Sequence, residues 1–324
     1  MYTPVLRRLV ALGGGQAMRA FSSSAAVSEA IKRITVVGGG QMGAGIAQVA
    51  ATFDHQVTLV DVSPEALERG RQYMGKSLGR VAKKKFPEDP AQQTNWVDSI
   101  LGRIQGSTEL SKGVSQADLV VEAIVENINV KQRLFADVAQ TAPADCILAS
   151  NTSSLPIGRI FENVSAERRA LAVGLHFFNP VAQMKLVEVV RTGENSEETV
   201  QKALDFVRAI GKSPAVCQDT PGFIVNRLLL PYMMEAIRLL ERGVADSRDI
   251  DTAMKLGAGY PMGPFELADY VGLDTVKAIV DGWYTDGEGL KGDSLFMPSP
   301  KLNELVAAGH LGVKSGQGFY NYKK

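Results

Sequence analysis

Three histidines and two cysteines are all that this 324-residue chain offers as soft metal ligands or thiol nucleophiles. Cys146 and Cys217 share no metal-ligand spacing with a histidine, which leaves the chain without a metal-site signature. One disulfide at most could form, and a chain of this length does not need one, so the sequence reads as a protein of a reducing compartment. An excess of charge of either sign is also missing. Lys plus Arg and Asp plus Glu stand at 35 each, so no global field points to nucleic acid or to a membrane surface. Nor is there an apolar run of about 18 residues, the length a membrane-spanning helix requires. Acid is absent from residues 1–28, where Arg7, Arg8, Arg19 and the run Ser22-Ser23-Ser24 precede the first acid, Glu29. Arg-rich, Ser-rich and acid-free is the composition of a mitochondrial transit peptide, which implies the matrix. Gly13-Gly14-Gly15 interrupts the apolar pieces, against a secretory signal.

From Ile31 the pattern changes. Short β-branched runs (Ile34 to Val37, Val57 to Val60, Leu119 to Val121, Ile147 to Ala149, Leu171 to Phe178, Met184 to Val190) alternate with helical stretches (Ala44 to Thr52, Pro64 to Lys85, Val130 to Gln140, Glu197 to Ile210). Strand and helix in alternation predict βαβ units and an α/β fold with a Rossmann-type, mostly parallel sheet. Only five residues separate Phe178 from Met184, too few for a crossover helix, so those two strands are expected to be antiparallel neighbours at one end of the sheet. After Cys217 the strand signal stops, and Asp219-Thr220-Pro221-Gly222 opens a series of helical patterns running to Ala308. The expected organisation is a transit peptide over 1–28, a dinucleotide-binding domain over 29–217 and an all-helical domain over 218–324.

Gly38-Gly39-Gly40-Gln41-Met42-Gly43 fits G-x-G-x-x-G after a strand and at the start of a helix, and the next strand ends in an acid, Asp61. Gly38 serves the tight turn, Gly40 the approach of a diphosphate and Gly43 the close packing of helix on strand. Free N–H groups and the positive end of the helix suit the diphosphate. Asp61 is placed to accept the adenosine ribose hydroxyls and repel a 2′-phosphate. That makes the expected cofactor NAD rather than NADP.

Of the histidines, His55 and His310 read as surface or capping residues. His176, in Leu175-His176-Phe177-Phe178-Asn179-Pro180, stands near the C-terminal end of a strand, where ligands of open α/β sheets gather. By position alone it reads equally as a core histidine with a satisfied hydrogen bond. Glu188 lies inside the apolar run Met184 to Val190, where a carboxylate needs His176 across the loop, a salt bridge with Lys185, or a solvated edge position. Paired with His176 it would make a histidine base with an orienting carboxylate, the equipment for removing a hydroxyl proton while hydride leaves carbon.

The same stretches carry a resemblance. Val36 to Ala47, Val120-Val121-Glu122-Ala123-Ile124-Val125-Glu126-Asn127, Ala149-Ser150-Asn151-Thr152-Ser153-Ser154, Gly174 to Pro180, Asp219 to Arg227 and Leu256 to Glu266 resemble the short-chain L-3-hydroxyacyl-CoA dehydrogenases of mitochondria. The likeness runs through nearly everything from Ile34 onward, and the departure Ala182-Gln183 falls in a loop. It implies NAD-dependent reversible oxidation of L-3-hydroxyacyl-CoA to 3-ketoacyl-CoA in fatty acid β-oxidation. By position it implies His176 as base and Glu188 as its partner, with Ser153 and Asn226 at the reacting end of a coenzyme A thioester. It further implies NAD contacts at Glu126, Lys131, Ser153, Asn179 and Lys314, beside the Gly38–Gly43 loop and Asp61. Coenzyme A contacts are implied at Ser77 and Lys84, and a homodimer through the helical domain. Taken without the resemblance, Lys84 reads equally as part of a solvated helix face and Ser153 as a helix cap. Oxidation of free 3-hydroxy acids and an idle NAD-binding protein are the rival readings.

Overall fold

The computed structural model describes residues 31–323, so the expected transit peptide lies outside the described residues. The chain opens with β1 (Arg33–Val37), α1 (Gln41–Thr52), β2 (Gln56–Val60), α2 (Pro64–Lys85), α3 (Pro90–Leu101), β3 (Ile104–Ser107) and α4 (Leu110–Val114). It continues through β4 (Leu119–Glu122), α5 (Ile128–Thr141), β5 (Ile147–Ser150), α6 (Ile157–Ile160), α7 (Ala166–Arg169), β6 (Ala172–Phe177), β7 (Leu186–Arg191), α8 (Glu197–Ala209) and β8 (Ser213–Gln218). Five α-helices follow among the described residues: α9 (Val225–Glu241), α10 (Ser247–Gly257), α11 (Pro264–Val271), α12 (Leu273–Asp286) and α13 (Pro300–Ala307).

The helix starts are written in side-chain chemistry. Ser63 accepts from the Ala66 amide ahead of Pro64, and Asp89 accepts from Gln92 ahead of Pro90. Each satisfies an otherwise orphaned N–H, and proline costs nothing in the first turn.

The strands form one sheet in the order β3-β2-β1-β4-β5-β6-β7-β8. Every neighbouring pair is parallel except β6 with β7. Residues alternate between its two faces, as the strand period dictates. Ile34 and Val36 enter one core with Ala44, Ile46 and Phe206, whereas Val37 and Val120 enter the other with Phe135 and Ile157. A third core joins α9, α11, α12 and α13 through Met233, Phe265, Val280 and Leu305.

Two expectations change. The antiparallel pair β6–β7 does not close the sheet, because β8 pairs parallel to β7 beyond it. Pro214 and the half-exposed residues around it disguised that strand, and an edge is where a strand tolerates proline. His55 is not a surface or capping residue: it is buried, edge-on to Phe206 at 5.7 Å between centroids. Burial lowers its pKa, against a hydrogen bond with the Ile31 backbone and the charge of Asp54.

Candidate active site

The glycine loop turns on Gly38, whose φ of +115° an L side chain rarely adopts. A Cβ there would lie 2.5 Å from the Ala123 carbonyl oxygen, and one on Gly43 would lie 1.8 Å from that of Gly38. A Cβ on Gly40 would meet nothing within 4 Å. Gly38 and Gly43 thus hold the loop tight against the sheet, while Gly40 opens onto free space at the N-terminus of α1, which carries no side-chain cap. An uncapped helix start facing open space fits a diphosphate, and the loop fits NAD. Asp61, at the end of β2, accepts from the Gly39 amide at 2.7 Å and the Ser63 amide at 3.0 Å, which fixes its carboxylate beside that loop.

His176 of β6 and Glu188 of β7 are directly opposed residues of the antiparallel pair. His176 Nδ1 lies 2.7 Å from a Glu188 carboxylate oxygen. Glu188 is fully buried. Its other oxygen accepts the amides of Ile224 at 3.0 Å and Val225 at 2.8 Å, the first amides of α9. Bringing a carboxylate out of water costs several kcal/mol. Three hydrogen bonds and the positive end of a helix offset that cost. A carboxylate so placed only accepts, so Nδ1 carries the proton and Nε2 is left as the ring's acceptor. Phe178 and Phe223 pack on the ring, with centroids 4.4 and 5.7 Å away.

A cavity of about 350 Å³ brings together Met42, Glu126, Lys131, Ser153, His176, Asn179 and Asn226. Asn226 Nδ2 donates to the Ser153 carbonyl at 3.4 Å, tying α9 to the loop after β5. Glu126 accepts from the Thr152 hydroxyl at 2.6 Å and the Ser153 amide at 3.1 Å. Lys131 is buried, 2.6 Å from Glu122 and 3.0 Å from Glu126. Burial opposes charge on Glu126, but Lys131 and the Thr152 hydroxyl prevail and hold its carboxyl below the usual range.

A second cavity, of about 380 Å³, lies between the glycine loop and α2 and is lined in part by Gly39, Gly40 and Gln41. Gln41 Nε2 donates to Asn179 Oδ1 at 3.0 Å, joining the rims of the two cavities.

The remaining predicted residues do not line these walls. Ser77 and Lys84 lie on α2, and Lys84 is exposed. Lys314 forms an ion pair with Asp274 at 2.6 Å.

Two buried charged groups that support the site, Glu122 and Lys212, carry no expectation from the sequence. Glu122 is fully buried at the end of β4, where it accepts from Ser150 at 2.6 Å and Lys131 at 2.6 Å. The signal that singles out Glu188, an acid in an apolar run, was equally available for it. Lys212 is buried and donates to the carbonyls of Val181 and Met184, which holds the loop carrying Asn179. Among the described residues no cluster of three or more His, Cys, Asp or Glu is arranged for a metal. Both cysteines are free, and burial pushes each thiol up to about 12.

The family 3-hydroxyacyl-CoA dehydrogenase, NAD binding domain, matches residues 33–220, and its C-terminal domain counterpart matches residues 222–322. The mitochondrial hydroxyacyl-coenzyme A dehydrogenase of Homo sapiens is 54% identical over 314 residues, covering 95% of this chain and 98% of that protein. A probable 3-hydroxyacyl-CoA dehydrogenase of Caenorhabditis elegans is 53% identical over 307 residues, covering 95% of this chain and 97% of that protein. Among solved structures, the (S)-3-hydroxybutyryl-CoA dehydrogenase of Ralstonia eutropha has a TM-score of 0.83 at 37% identity, covering 91% of this chain and all of that one.

Proposed function

The chain belongs to the 3-hydroxyacyl-CoA dehydrogenase family, and on that premise we propose that it oxidises L-3-hydroxyacyl-CoA reversibly to 3-ketoacyl-CoA with NAD+. The observation that carries this reading is the His176–Glu188 pair at the wall of a cavity beside an NAD-binding loop. Bound NAD+ supplies the hydride acceptor. The 3-hydroxyl proton would pass to His176 Nε2 as C3 gives up its hydride, for which the bound cofactor would serve as acceptor. Glu188 keeps Nδ1 protonated beforehand and balances the imidazolium formed. Ser153 and Asn226 would orient the oxygen at C3 and the thioester, and Asn179 would contact the nicotinamide end of NAD+. Glu126, Lys131 and Lys314 complete the NAD contacts, and Asp61 takes the ribose hydroxyls. Ser77 and Lys84 hold coenzyme A.

The reading extends to fatty acid β-oxidation in the mitochondrial matrix, with residues 1–28 as the address. Close relatives named mitochondrial support that placement. It extends also to a homodimer through the helical domain, 218–324, where Leu228 and Leu256 are 69% and 83% exposed. The test follows NADH absorbance with acetoacetyl-CoA and with free 3-keto acids. Turnover of the thioester alone supports the proposal; turnover of free acids alone, or of neither, overturns it.

A further inference from the structure

Six residues, Asp219 to Ile224, lead from β8 to α9, and the reaction centre leans on this segment and the helix start it feeds. Phe223 packs on the His176 ring at 5.7 Å between centroids. The amides of Ile224 and Val225 hold one oxygen of Glu188. Asn226, the next residue along, lines the same cavity as His176. The segment is not relaxed. Phe223 has a φ of +52°, which a bulky L residue keeps only where its surroundings enforce it. Beside it Gly222 has a φ of +79°, and a Cβ there would lie 2.3 Å from the Trp283 ring of α12. A segment held this way needs a fixed point at its other end.

Asp219 supplies that point. Its Oδ1 accepts the Ile157 amide and its Oδ2 the Gly158 amide, each at 2.8 Å, and its own amide donates to the Arg191 carbonyl at 3.1 Å. Burial pushes its carboxyl up, against the lowering by the two amides, and the charge of Glu288 adds to the rise. No basic side chain among the described residues forms an ion pair with it. The carboxylate is thus held half out of water with two amides as its partners. Ile157 is fully buried, in the core that also takes Val190 and Phe223, so the start of α6 is a firm anchor. Only Ser154, Leu155 and Pro156 separate it from Ser153. Asp219 therefore joins two segments that frame the cavity, one carrying Ser153 and the other Phe223 to Asn226. A second tie joins them at the cavity itself, from Asn226 Nδ2 to the Ser153 carbonyl at 3.4 Å. That bond is long, and Asn226 gives it up if it turns to the substrate. The two bonds of Asp219 are then the tie that stays.

We infer that Asp219 is a positioning residue for removal of the hydroxyl proton: it latches the segment before α9 to the start of α6, and through that segment keeps Phe223 on the imidazole and the two amides on Glu188. It acts through these residues and not on the reacting atoms. The inference rests on the proposed function and deepens it.

The test compares wild type with Asp219→Asn, Asp219→Ala and, as a control, Asp118→Asn. Asp118 likewise accepts two amides, those of Lys32 and Arg33, but where β1 and β4 begin, at the edge of the sheet opposite the cavity. Each protein is assayed for kcat with an L-3-hydroxyacyl-CoA and for the Kd of NADH by calorimetry. Each is also examined for the low-field proton resonance of the His176 Nδ1–H shared with Glu188, assigned by its loss in His176→Gln. In Asp219→Asn the side-chain oxygen can keep one donor while its NH2 faces the other. There kcat should fall about tenfold, and further in Asp219→Ala, with the Kd of NADH within about twofold. The resonance should shift or broaden in both, while Asp118→Asn keeps the wild-type kcat and resonance. Should Asp219→Ala fail to fold, Asp219→Asn decides. An unchanged kcat or an unmoved resonance in Asp219→Asn would overturn the inference. So would an equal loss in Asp118→Asn, which would mark the effect as general destabilisation. Absence of turnover in the wild type would instead sink the proposed function, and the resonance, which needs no substrate, would then decide the role of Asp219 alone.

Discussion

His176 and Glu188 face each other across the one antiparallel seam of the sheet, with Nδ1 2.7 Å from a carboxylate oxygen whose twin is held by the first amides of α9. The carboxylate is thereby committed on both oxygens, and each bond requires it to accept. Exchange for an amide tests what that commitment does. In Glu188→Gln the amide oxygen would remain with the Ile224 and Val225 amides and turn its NH2 toward Nδ1. The imidazole would then carry its proton on Nε2 and could not act as a base there. The expected result is a fall in kcat of about 10²-fold or more with the Kd of NADH unchanged. A kcat within a few-fold of wild type would show that the carboxylate does not set the tautomer.

Asp61 offers a second test, because its carboxylate is fixed by the Gly39 and Ser63 amides beside the cofactor loop. Asp61→Ala should weaken NAD binding and narrow the preference over NADP, since both the ribose acceptor and the repulsion of a 2′-phosphate are lost. The ratio of kcat/KM for the two cofactors reads this directly. An unchanged ratio would contradict the role.

Glu126 predicts a pH dependence. Burial raises its pKa, but Lys131 and the Thr152 hydroxyl outweigh that and leave the folded value below the reference of 4.5. A carboxyl depressed in the folded state contributes stability that is present above the unfolded pKa and lost as pH falls through the folded one. Denaturant melts of the wild type should therefore lose stability below pH 4.5, and Glu126→Gln should lose less over the same interval. Parallel curves for the two proteins would contradict this.

Lys212 predicts a positioning effect remote from the reacting atoms. Burial, and secondarily Lys185, lowers its pKa, yet its ammonium serves the carbonyls of Val181 and Met184 in the loop that carries Asn179. Lys212→Met would leave two carbonyls without that donor, at a cost of about 1–3 kcal/mol in urea denaturation. Severalfold weaker NADH binding should accompany it as Asn179 loses its support. Unaltered stability would mean that the lysine is not the clamp.

Much of this architecture was legible in the residues because period and punctuation agreed. Pro64 to Lys85 was predicted as a helix and is α2 to the residue, since Ser63 caps it and Pro64 opens it. The short loop after Phe178 was enough to predict the antiparallel seam, and the apolar surroundings of Glu188 were enough to demand a partner. The edge strands were not legible. β3 buries one of its four residues and β8 carries Pro214, so neither shows the apolar run that marks an interior strand. Glu122, Lys131 and Lys212 each owe their role to segments distant in sequence, and no local spacing announces which carboxylate or carbonyl a buried lysine will meet. The cavity between the glycine loop and α2 depends in the same way on how closely that helix packs on the loop.

The central claim is that His176 removes the hydroxyl proton, and His176→Gln tests it most directly, measured as kcat for an L-3-hydroxyacyl-CoA alongside the Kd of NADH. The account predicts a fall in kcat of about 10²–10⁴-fold with NADH bound as tightly as by the wild type. Turnover close to the wild-type rate would contradict it.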